Sequence, residues 1–110
     1  MRLTRLVSQI RPEARVIALA EEIAGDCRHA VWQRVVSRIG NMSAPAARGY
    51  TRARAAAVID REVDRVAAQR NRSNSTWRQK LVQYTTDTVV RLVMAQAQAV
   101  PVASPTRRAA

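Results

Sequence analysis

The sequence predicts an all-α fold, a small helical bundle of about four to five helices followed by a disordered C-terminal tail, on three observations. Apolar residues recur at helical spacing through most of the chain. The aliphatic residues are small, and aromatics are confined to Trp32, Tyr50, Trp77 and Tyr84 with no Phe, which suits closely approaching helices better than a β-sandwich core. Proline, glycine and small polar residues gather at a few points and punctuate the pattern. At 110 residues and 47% hydrophobic content the chain has the length of one domain and the apolar material for one modest core. A single helical domain is expected over 1–98 and a flexible tail over 99–110.

Leu3, Leu6, Val7 and Ile10 fall at i, i+3, i+4 and i+7, predicting a short amphipathic helix with Arg2 and Arg5 off its apolar face. Two turns are too few to hold a membrane surface alone, so this helix is expected to close the bundle. The same Met1–Arg11 stretch is Arg-rich, contains Ser and Thr and has no acid before Glu13, a pattern shared with mitochondrial presequences.

Pro12 and Glu13 suit the first turn of a second helix. Its first stripe, Val16, Leu19, Ala20 and Ile23, is out of phase by nearly half a turn with the next, Trp32, Val35, Val36 and Ile39. Gly25-Asp26, a C-cap residue followed by an N-cap residue, predicts a break or kink between them; one continuous helix buried on different sides is the other solution. Gly40-Asn41 ends the segment by the same logic.

Ser43 and Pro45 open the next helix, which runs to about Arg70 with Ala55, Ile59, Val63 and Val66 as its apolar face. Asn71–Ser75 reads as a polar linker, and Thr76 with Gln79 as a capping box for a last helix whose inner face is Trp77, Leu81, Tyr84, Thr88 and Leu92. The β-branched run from Thr85 to Val93 is the one segment that competes as a strand. The Asn-x-Ser/Thr triplets at Asn41, Asn71 and Asn74 are read as turns and caps.

Nineteen basic residues against eight acidic ones leave a formal charge of +11. An excess of that size favours polyanionic partners through surface potential and counterion release, so nucleic acid, DNA or RNA, heads the expected partners, ahead of acidic protein or lipid surfaces. Lys80 is the one lysine; the rest are arginines, which can grip phosphate bidentately. A GC-rich genome would produce the same Arg and Ala excess, so the sign of the charge carries the argument.

Catalytic and metal chemistry find little to use. Cys27 and His29 are two apart, pointing about 200° away from each other on a helix. Glu21-Glu22 and the alternating Asp60, Glu62 and Asp64 spread around their helices instead of converging. Only Gly25, Gly40 and Gly49 are glycines, so no Gly-rich phosphate loop exists. The expectation is a non-enzymatic protein with no cofactor and no metal. With no apolar run of about 18 residues and no secretory signal, a cytoplasmic protein without a transmembrane segment is expected.

Two arrangements of the basic residues follow. In one, Gly40–Ser43 is the turn of a helix-turn-helix, and Arg48, Tyr50 and Arg52 project from the second helix toward a groove. In the other, which we prefer, Arg54, Arg61, Arg65 and Arg72 form a ridge about 27 Å long opposite the apolar stripe, continued by Arg78 and Lys80, and contact phosphates without reading bases. The alternative to nucleic-acid binding is a protein-protein interaction or homo-oligomerisation module with a cationic, solubilising surface, supported by the phase shift between residues 12 and 39.

Overall fold

Helix ends in this chain are set by a few local polar contacts. A computed structural model describes residues 12–99, which form α1 (Pro12–Ile39), α2 (Ala44–Gln69) and α3 (Ser75–Ala99). The helix expected over Leu3–Ile10 and the expected tail from residue 100 lie outside the described residues. α2 begins as expected: the Ser43 hydroxyl accepts from the Ala46 N–H at 3.3 Å, with Pro45 in the first turn. α3 is capped two residues earlier than Thr76 would do it, because the Asn74 side chain accepts from the Trp77 N–H at 2.9 Å.

The all-α class holds, but the described residues contain three helices, fewer than the expected four to five. One reason is that α1 is continuous through Gly25-Asp26. From Ile23 onward its buried residues Ile23, Cys27, Val31, Val35 and Ile39 follow a four-residue step, with Ala24 buried beside the first. Each such step overshoots the 3.6-residue turn by about 40°, so the buried stripe wraps around an unbroken helix. Val36, counted in the second stripe, is 43% exposed, and Val31 takes its place in the core.

The ends also correct the expected role of Gly40. It does not adopt a left-handed conformation; α1 closes with the Asn41 and Met42 N–H groups donating to the Arg38 and Ile39 carbonyls. The left-handed residue is Asn71, at φ 55°. The Arg72 N–H reaches the Ala67 carbonyl at 2.9 Å and the Asn71 N–H reaches that of Ala68 at 3.2 Å, the paired bonds of a Schellman ending.

Short turns at 40–43 and 70–74 make successive helices antiparallel and leave α1 and α3 parallel. Glu13 meeting Tyr84 and Arg28 meeting Gln96 fix the parallel pair, while Arg78 on Asp64 and Arg52 on Asp87 fix α2 against α3. The core between them is made of small side chains; Ile59 and Leu81 are the largest fully buried ones. The expected α2 face, Ala55, Ile59, Val63 and Val66, is buried throughout.

On α3 the inner face is rotated from the expected one. Leu81, Thr85, Thr86, Val89, Val90 and Val93 are buried, whereas Trp77, Tyr84, Thr88 and Leu92 are half-buried at the rim. Close helix approach selects the compact β-branched side chains for the centre and leaves the large ones to lie across the grooves. That β-branched run is therefore helical core, not strand.

Candidate functional site

Antiparallel packing gathers the C-terminal half of α1, the N-terminal half of α2 and the C-terminal half of α3 at one end of the bundle. Among the described residues that end carries Arg28, Arg34, Arg38, Arg48, Arg52, Arg54 and Arg91 with Asp26 and Asp87 as its acids: seven basic and two acidic residues, net +5. Among the described residues the opposite end carries Arg15, Arg61, Arg65, Arg70, Arg72, Arg78 and Lys80 against Glu13, Glu21, Glu22, Asp60, Glu62 and Asp64, seven basic and six acidic, net +1. Among the described residues the fold thus sorts a diffuse excess into a cationic end and a nearly neutral one, hereafter the neutral end.

The expected phosphate-binding residues divide between these ends. Arg48, Arg52 and Arg54 sit at the cationic end, all exposed. Arg48 and Arg54 form no ion pair among the described residues, and Arg52 bonds Asp87 at 2.8 Å. The other expected residues do not form a free ridge. Arg65 pairs with Glu62 one turn back, a bond that keeps its guanidinium still more firmly protonated. Arg78 meets Asp64 at 2.8 Å and Asp60 at 3.8 Å, and Lys80 meets Glu13 at 3.9 Å. Arg72 lies beyond the end of α2 and stacks on Trp77, 4.4 Å from the ring centroid. Arg61 alone in this group is exposed with neither an ion pair nor a ring contact among the described residues.

Those pairs are half-exposed, so each contributes less than about 1 kcal/mol of stability. Their electrostatic effect is larger than their energy, since a carboxylate beside each guanidinium cancels its attraction for a phosphate beyond about one Debye length, near 8–10 Å. Sequence reasoning missed Arg34, Arg38 and Arg91. The signal was available: counting charge by half-helix after assuming antiparallel hairpins separates the two ends.

Two grooves border these clusters. The larger, about 580 Å³, is at the neutral end between Arg15, Leu19, Glu22, Arg70, Arg72 and Trp77. The smaller, about 440 Å³, runs between α2 and α3 at the cationic end, with Arg48, Arg52, Asp87 and Arg91 on its walls and Val90 and Met94 below.

The sparse titratable groups are arranged for structure. Burial pushes the Cys27 thiol up to about 11, with Glu62 and Asp26 adding to the shift and Arg65 opposing it, so the sulfur stays protonated and shielded. His29 is exposed one residue beyond Arg28. The Tyr84 hydroxyl donates to Glu13, which raises the tyrosine's pKa. Among the described residues no three His, Cys, Asp or Glu side chains converge as a metal site, and no described helix is long and apolar enough to cross a membrane. No protein-family model, curated protein or solved structure matches the chain.

Proposed function

We propose that this chain is a non-enzymatic, cytoplasmic nucleic-acid-binding protein whose arginines contact phosphates from the cationic end of the bundle. The observation that carries the reading is the sorting of charge among the described residues, net +5 at one end and +1 at the other. A concentrated field steers polyanions and releases condensed counterions, whereas the same charge spread evenly and paired with carboxylates would do so weakly. Arg34, Arg38, Arg48, Arg52, Arg54 and Arg91 are the six contacts proposed. Aromatic surface for stacking single-stranded bases is scarce, which favours backbone contacts to a duplex or a structured RNA.

The interaction-module reading rested on the phase shift in α1. The continuous wrapped stripe accounts for that shift inside one core, and Val36 and Ile17 are left as single exposed apolar residues. The nucleic-acid reading is therefore the one put forward.

The test is a titration with duplex DNA and with structured RNA at 50 and 200 mM salt. Six phosphate contacts predict an affinity falling about a thousandfold between the two salts. An affinity unchanged by salt, or no binding at the lower salt, would contradict the proposal.

A further inference from the structure

The groove between α2 and α3 at the cationic end holds a like-charge layer. Arg52 and Asp87 face each other across it and pair at 2.8 Å. Arg48 lies four residues before Arg52, and Arg91 four residues after Asp87. In antiparallel helices these offsets set the two arginines in the next layer, on opposite walls of the same groove. Neither forms an ion pair among the described residues. The floor beneath them is apolar, with Val90 buried and Met94 half-buried, so nothing in the floor neutralises them.

Two guanidinium groups confronting each other over an apolar floor repel, and an anion between them turns that repulsion into two attractions. We propose that Arg48 and Arg91 form a clamp for one phosphodiester group of a nucleic-acid backbone. The Arg52–Asp87 pair closes the groove on its inner side and limits the clamp to the bundle's end. This inference rests on the nucleic-acid reading above and names its principal contact.

The experiment uses the full chain and a fluorescent 16-base-pair duplex in 0.1 M salt, read by anisotropy. The comparison is between the double variant Arg48→Gln/Arg91→Gln and a control of equal charge loss, Arg61→Gln/Arg70→Gln. Loss of two released counterions predicts affinity roughly 60-fold weaker for the clamp variant, with a log-log salt slope shallower by about 1.8. The control is expected to change affinity by no more than about threefold, its arginines lying at the neutral end where screening by salt is effective. In the absence of DNA the clamp variant is expected to melt at or above the wild-type temperature, because the repulsion is gone. Equal weakening of both variants, or wild-type affinity in the clamp variant, overturns the clamp while leaving nucleic-acid binding in place. Failure of the wild type to bind the duplex or a structured RNA, with capture by phosphatidylserine vesicles instead, overturns both.

Discussion

Gly25 lies within α1, 12–39, exposed and in a right-handed conformation, and a methyl group built on it meets no atom within 4 Å. Replacing it by alanine therefore changes no packing contact in the folded state. What remains is intrinsic helix propensity and unfolded-chain entropy, about 0.8–1.0 kcal/mol in favour of alanine. For a domain of this size that gain raises the melting temperature by about 4–8 °C. Thermal denaturation followed by circular dichroism at 222 nm, with a urea titration at 25 °C as a second measure, reads it directly. A broken helix at Gly25-Asp26 would behave oppositely, since alanine in a left-handed cap is strained and Gly25→Ala would then destabilise by about 1 kcal/mol. A fall in melting temperature would refute the continuous α1 and the wrapped stripe built on it.

Three further perturbations follow from the same coordinates. Asp87→Asn removes the acid that pairs with Arg52 at the cationic end and frees that arginine; duplex affinity should rise severalfold, measured by anisotropy, while stability falls by less than about 1 kcal/mol because the pair is exposed. Asn71→Ala forces a left-handed backbone on alanine at φ 55° and should destabilise by about 1 kcal/mol in urea melts, whereas Asn71→Gly should be neutral or slightly stabilising. The Cys27 thiol has an ordinary pKa of 9.0 in the unfolded chain and about 11 in the fold. An acid raised in this direction binds its proton more tightly when folded. Its contribution to stability is thus complete below pH 9 and is lost as pH rises from 9 to 11. Stability measured from pH 8 to 11 should fall less steeply in Cys27→Ala than in the wild type, and the native thiol should resist Ellman's reagent at pH 8.

Much of this fold is legible in the chain where local chemistry and tertiary packing agree. Ser43 and Pro45 mark the start of α2, and Ala55, Ile59, Val63 and Val66 mark its buried row, because a cap and an apolar stripe need no knowledge of the neighbours. Gly25-Asp26 misleads because glycine inside a helix costs only about 1 kcal/mol, which packing along Ala20, Ile23, Cys27 and Val31 readily outweighs. The α3 face misleads for a different reason. Weighting Trp77 and Tyr84 as core assumes room for large side chains, and helices this close admit Thr85, Val89 and Val93 instead.

The basic surface was legible in sign and total but not in distribution. Glu62, which pairs with Arg65, lies one turn back on the same helix, but the carboxylates that cancel the continuation of the ridge come from other elements: Glu13 of α1 reaches Lys80, and Asp64 of α2 reaches Arg78. Such partners lie across a turn or a whole helix of sequence and become visible only when the hairpins are closed. Arg48, Arg52 and Arg54, by contrast, lie at the end of the bundle where Asp26 and Asp87 are the only acids among the described residues.

The central claim is that polyanion binding belongs to one end of the molecule, and backbone and arginine side-chain amide shifts in a two-dimensional NMR titration with a short duplex test it most directly. The account predicts shifts concentrated in 28–39, 44–55 and 87–99, with the side-chain signals of Arg48 and Arg91 moving most. Shifts centred on Arg61, Arg65, Arg72 and Arg78, or spread evenly over both ends, would contradict it.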